Sequence, residues 1–134
     1  MKKQSILAWI PRIIAAVILI QTLYFKFSGA EESVQLFTQL GVEPWGRIGT
    51  GVLELIASVL ILVPATVWLG ATLAIGLMGG AILSHLLVIG VWRNDGGQLF
   101  LYAIIVMICA LFSFWASRSQ VPATVRKFLP SFLQ

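Results

Sequence analysis

The chain has 134 residues, of which 59% are hydrophobic and only 10% charged, whereas soluble domains carry roughly a quarter charged residues. A fold this short leaves much of its surface exposed, so it could not hide that much apolar side chain from water, and a lipid-covered surface is expected. The net charge of +4 comes from basic residues scattered in ones and twos, which argues against a nucleic-acid patch and fits charges flanking membrane spans.

The first apolar stretch runs over about 6–26 and is interrupted by Pro11-Arg12. A span needs about 20 residues, so this one is long enough. Met1-Lys2-Lys3 ahead of it and Ser28-Gly29-Ala30 behind it have the outline of a cleaved leader. The break at Pro11-Arg12 and the charge of Lys26 just before the small residues speak for a retained span.

The connection that follows is more than a loop. Ser28 and Glu31 have capping-box spacing, Val34, Phe37 and Leu40 recur at helical spacing, and Gly41 is a natural stop. These residues predict a short helix over about 31–40, lying at the membrane interface. Pro44-Trp45-Gly46-Arg47 then turns the chain back.

The second span is expected over about 47–63, ending at a tight turn marked by Pro64. The third covers about 66–91. It carries Gly76, Gly80 and Ser84 at four-residue intervals, a row of small residues suited to close helix packing. Asn94-Asp95-Gly96-Gly97 makes the next turn, and the fourth span covers about 98–116. The expected fold is therefore all-α: a polytopic four-helix transmembrane bundle, one domain over residues 1–134, with an interfacial helix between spans one and two.

Four spans place both termini on one side. Lys2, Lys3, Arg12, Arg118, Arg126 and Lys127 lie there, against Lys26, Arg47 and Arg93 on the other. That bias puts both termini in the cytoplasm. Trp45, Trp92 and Tyr24 fit one aromatic belt, and Trp9, Trp68 and Trp115 the other.

The informative residues are the polar ones inside apolar spans. Glu54 lies near the middle of span two, where a carboxylate costs about 2.5 to 3.5 kcal/mol to insert. His85, the only histidine, lies well inside span three. Counted from Arg47 and Val91, the two sit at similar depth, on the order of 10 Å from one surface. Thr22 and Lys26 of span one and Tyr102 of span four fall near the same level. Arg47, Thr50, Gly51, Glu54 and Ser58 share a face, as do Gln98, Tyr102, Cys109 and Ser113. An internal pocket follows, with Glu54 and His85 at its heart and Lys26, Arg47, Gln98 and Tyr102 nearer its mouth. The plain structural reading stands beside it: such a pair can simply hold helices together, Lys26 can snorkel, and Arg12 can reach head groups or cap a carbonyl.

No metal site is expected, because one His and one Glu give too few ligands for zinc. Cys109 is the single cysteine, so no internal disulfide or CxxC pair exists. Redox chemistry would have to use a bound cofactor or a partner protein. No GxSxG, P-loop or dinucleotide fingerprint occurs.

Arg12, Phe25-Lys26-Phe27-Ser28-Gly29, Gly51-Val52-Leu53-Glu54-Leu55, Met78-Gly79-Gly80-Ala81 through His85, and Asn94-Asp95-Gly96-Gly97 together resemble the DoxX family. The resemblance covers nearly the whole chain. It implies a small bacterial inner-membrane protein of four helices. The family takes its name from a terminal-oxidase-associated subunit, and its relatives include part of a thiosulfate:quinone oxidoreductase, mycobacterial members of membrane redox complexes and, more distantly, animal receptor-assembly chaperones. It does not imply one reaction.

Three functions remain in view, and none decides whether the chain is an enzyme. One is an accessory subunit of a quinone-linked redox system, with quinone as the bound group and a membrane redox protein as partner. The second is a non-catalytic lipid- or small-molecule-binding protein, or an assembly scaffold. The third is a small carrier working as a homo-oligomer. All three live in the lipid bilayer, and none involves nucleic acid.

Overall fold

A computed structural model of the chain describes residues 3–90 and 97–131, the first three of them by backbone alone. Among the described residues every regular element is a helix: α1 (Lys3–Phe27), α2 (Glu31–Gln39), α3 (Trp45–Leu62), α4 (Val67–Ser84), α5 (Gln98–Ala116) and a short α6 (Ala123–Arg126). Four segments of the described residues are long and apolar enough to cross a membrane: Ile6–Phe27, Trp45–Leu62, Pro64–Ile89 and Gln98–Ala116. The ends differ from the sequence expectation by a residue or two, within the ordinary fraying of helix termini. The protein is a multi-pass membrane protein. Trp92, Arg93 and the Asn94-Asp95-Gly96 turn lie outside the described residues.

The four long helices form a ring in the order α1, α3, α4, α5, each packed on two neighbours. Lipid supplies no hydrophobic force between helices, so small side chains that allow close approach decide where they meet. Ala15 and Ala16 of α1, Ala57 of α3, Ala71 and Ala74 of α4 and Ala110 of α5 are buried together, with Leu19, Ile61 and Val106 filling the space between them. The opposite faces stay apolar and exposed, among them Ile6, Val17 and Ile20 of α1, Leu83 of α4 and Leu87 just after it. That inversion is what a lipid-facing surface requires.

The tightest crossing lies at Gly70. A Cβ built there would meet the backbone of Ile61 and, at 2.8 Å, that of Leu60. The expected close packing through Gly76 and Gly80 is not made within the chain: a Cβ at either position meets nothing within 4 Å. Small residues at four-residue spacing permit a contact, but the ring geometry places the contact two turns earlier.

Arg12 is 6% exposed although it sits in a membrane span. Its Nε donates to the Ile61 carbonyl at 2.7 Å and its Nη2 to the Leu62 carbonyl at 3.0 Å. These carbonyls belong to the last turn of α3, where no intrahelical partner remains. The guanidinium also stacks on Trp9, 3.6 Å from the ring centroid. Arg12 therefore caps a neighbouring helix from inside the bundle and does not reach for head groups.

At the far end α2 lies across α1, α3 and the end of α4. It begins after Ala30 with no side-chain cap, so the Ser28–Glu31 capping box does not form. The turn before it is set by backbone: Gly29 adopts φ +69°, a conformation open to glycine at no steric cost. Gly41 at φ +78° ends the segment in the same way. Phe37 alone of α2 is buried, and Gln39 donates to the Val88 carbonyl at 3.4 Å.

Gly70→Val forces α3 and α4 apart and is expected to destabilise the bundle by about 1–3 kcal/mol, read by unfolding in mild detergent. Gly76→Ala and Gly80→Ala, facing open space, are expected to leave that midpoint within about 0.5 kcal/mol.

Candidate functional site

Two arrangements of polar groups sit at the α2 end of the bundle, on opposite sides of one cavity. The first joins α1 to α3. Glu54 is 3% exposed, near the middle of α3. Lys26, at the last turn of α1, places its Nζ 3.1 Å from Glu54 Oε2. The Thr22 hydroxyl, one turn earlier, is within hydrogen-bond distance of the same oxygen, at 3.3 Å, and of the Leu19 carbonyl, at 2.8 Å, and its single hydrogen serves one of them at a time. A carboxylate in this setting loses its water and must be compensated by a charge and by hydrogen bonds. Lys26 and Thr22 do that, because four-residue spacing puts both on one face of α1. Lys26 is thus an internal partner rather than a snorkelling surface charge.

The second arrangement joins α4 to α5. The end of α4 widens into a π-helical turn over His85–Ile89, closed by Gly90 at φ +83°. Such turns are rare and concentrate at functional positions. Here the widening lets His85 Nδ1 approach the Gly90 carbonyl, 3.1 Å away. The His85 ring meets Phe100 of α5 edge-on at 5.6 Å. One turn along α5, Gln98 Nε2 donates to the Tyr102 hydroxyl at 2.6 Å.

Between these groups lies a cavity of about 500 Å³. Its walls are mainly apolar, with Leu19, Leu77, Met78, Leu99 and Val106 among them, and Leu36 and Phe37 of α2 contributing from above. Lys26, Glu54, Ser84, His85, Gln98 and Tyr102 all border it. Gly76 and Gly80 border it as well, so these glycines make room instead of packing on a helix. The structure brings Glu54 and His85 to one cavity. No hydrogen bond joins them among the described residues; each has its own partners.

Arg47 stands apart. Its Nε bonds both oxygens of Glu43, at 2.9 and 3.0 Å, and its Nη1 donates to the Lys26 carbonyl. It fastens the end of α1 to the start of α3 and does not border the cavity. Its partner Glu43 lies four residues earlier, on the turn before α3, and reading Arg47 by span depth alone overlooked it. The sequence reading also missed α2 as a wall. Glu32, Ser33, Leu36 and Phe37 line the cavity, whereas the helical spacing of Val34, Phe37 and Leu40 predicts only a short helix at the membrane interface.

Among the described residues no group of three or more His, Cys, Asp or Glu side chains converges. Cys109 is buried in the core.

A family described as DoxX-like matches residues 10–116, from the second turn of α1 to the end of α5. No curated protein and no solved structure matches the chain.

Removing Lys26 leaves the Glu54 carboxylate uncompensated. Lys26→Met is expected to cost about 3–5 kcal/mol, and Lys26→Met combined with Glu54→Gln to recover most of that. A double-mutant cycle of unfolding in detergent measures the difference.

Proposed function

The chain belongs to the DoxX-like family, and from that premise we propose that it is an accessory subunit of a quinone-linked redox system in a bacterial inner membrane. The observation that carries this reading is the cavity of about 500 Å³. Its size lies in the range of small-molecule sites, and its makeup, apolar walls with a few polar groups on one level, is theirs too. A quinone is a neutral ring with two acceptor oxygens and an apolar tail, and it dissolves in the membrane that surrounds these helices.

The residues fit such a molecule on this structure's own terms. Leu19, Leu77, Met78 and Val106 offer apolar surface for the tail. Tyr102, held by Gln98, is a hydrogen-bond donor for a ring oxygen. His85 and Glu54 are groups that can take or release a proton at the edge of the cavity. When bound, the quinone supplies two-electron redox chemistry that this chain's side chains lack. Electrons would come from a partner protein, because the sequence has one buried cysteine and no flavin or haem signature. The chain's own part is to hold the head group, exclude water and place proton-exchanging groups beside it.

Orientation follows from basic residues in sequence. With Arg12 turned inward to α3 and Lys26 to Glu54, Lys2, Lys3, Arg118, Arg126 and Lys127 remain on the terminal side in sequence, against Arg47 and Arg93 on the α2 side. That bias supports an orientation with both termini in the cytoplasm and with α2 and the cavity facing outward.

A second reading, binding without chemistry, draws on one observation. Glu54 and His85 are separately hydrogen-bonded, so they form no direct proton relay. A lipid-binding or assembly role needs only the cavity.

Protein purified gently from native membranes and extracted with organic solvent is expected to release an isoprenoid quinone in stoichiometric amount. Tyr102→Phe should lower that retention by about tenfold, the effect of 1.4 kcal/mol. Retention of bulk phospholipid only, with quinone at the level of the surrounding membrane, contradicts the redox reading and favours the second.

A further inference from the structure

The two polar groups on the α4–α5 side of the cavity have opposite hydrogen-bonding characters, and the fold fixes both. His85 Nδ1 faces the Gly90 carbonyl at 3.1 Å. A carbonyl only accepts, so Nδ1 carries the hydrogen, and in the neutral ring Nε2 is then the acceptor. The π-helical turn and the positive φ of Gly90 hold that carbonyl in place, and Phe100 packs on the ring edge-on at 5.6 Å. The tautomer is therefore set by backbone that the ligand does not touch. Among the described residues, none hydrogen-bonds Nε2. Tyr102 is the converse. Its oxygen already accepts from Gln98 Nε2 at 2.6 Å, which leaves its own hydrogen to donate.

We propose that this cavity selects a neutral, apolar-tailed molecule whose head carries a hydroxyl donor as well as an acceptor oxygen, the hydroquinone state rather than the quinone. This rests on the quinone-site reading above and deepens it. A quinone head offers acceptors only. It satisfies Tyr102 and leaves His85 Nε2 facing an oxygen lone pair, which wastes one bond and adds repulsion. A hydroquinone donates one hydroxyl to Nε2 and accepts at another oxygen from Tyr102. Charge points the same way. Lys26 and Glu54 neutralise each other across 3.1 Å, and Glu32 is a further acidic residue on the wall, so an anionic head gains nothing. A diacylglycerol, with one free hydroxyl and ester oxygens, shares the donor–acceptor chemistry.

The test is binding, measured anaerobically by calorimetry on the full chain in nanodiscs. The probes are decylubiquinol, decylubiquinone and the dimethyl ether of the quinol, which keeps the ring and tail but cannot donate. The expected result is that the quinol binds about fivefold tighter than the other two, the worth of one neutral hydrogen bond. His85→Leu should remove that preference. Tyr102→Phe should weaken all three probes and keep the ratio, which separates a lost bond from a damaged fold. Competition by dioctanoylglycerol, itself a hydroxyl donor, would support the donor rule and identify a lipid source for it. Equal binding of quinol, quinone and ether would overturn the donor preference while the quinone site stands. No binding of any probe would overturn both.

Discussion

A carboxylate carried into an apolar bundle must find its compensation there, and the rest of this structure is arranged around that demand. Glu54 is almost wholly buried, so α1 has to present Lys26 and Thr22 to it. That requirement fixes the rotation of α1 about its axis and its height against α3. It also keeps the α2 end of the bundle from closing on itself, because a charged pair with its hydrogen bonds occupies a level where alanines and leucines would otherwise meet. Arg47 strengthens the same join from outside the cavity, by binding the Lys26 carbonyl and Glu43.

The two ends of the bundle consequently differ in construction. Toward the termini, alanines and Gly70 bring the helices into tight contact, and Arg12 caps the end of α3. Toward α2, the polar groups and the open glycines Gly76 and Gly80 leave space. A closely packed half adjoins a roomy half, and the pieces bordering the space come from five helices. The short α2, set between Gly29 and Gly41, is the one wall that is not a membrane span.

How much of this was legible in the sequence depended on which physics each feature obeys. The four spans were legible because bilayer thickness sets a length and lipid sets a composition. That Glu54, His85, Lys26 and Tyr102 border one cavity fits the depths that helical rise assigns to their residue numbers. What lay beyond reach was rotation and neighbourhood. The row Gly76, Gly80 and Ser84 reads the same whether it faces a helix or a void, and only the ring order shows that it faces a void. Arg12 reads in sequence as either a head-group charge or a carbonyl cap, and only the end of α3 beside it decides for the cap. The π-helical turn at His85 has no periodicity signal of its own, and Gly90 is its single trace. The capping spacing of Ser28 and Glu31 misled, because two positive-φ glycines shape that segment more strongly than a side-chain cap would.

The most direct measurement is solid-state NMR of the full chain in lipid bilayers, with dipolar recoupling between lysine 15Nζ and glutamate 13Cδ. The account predicts a contact assigned to Lys26 and Glu54, consistent with the N–O separation of 3.1 Å, and its loss in Glu54→Gln. Spectra placing that nitrogen beyond about 6 Å from the carboxyl carbon, outside the range in which opposite charges compensate each other, would contradict it.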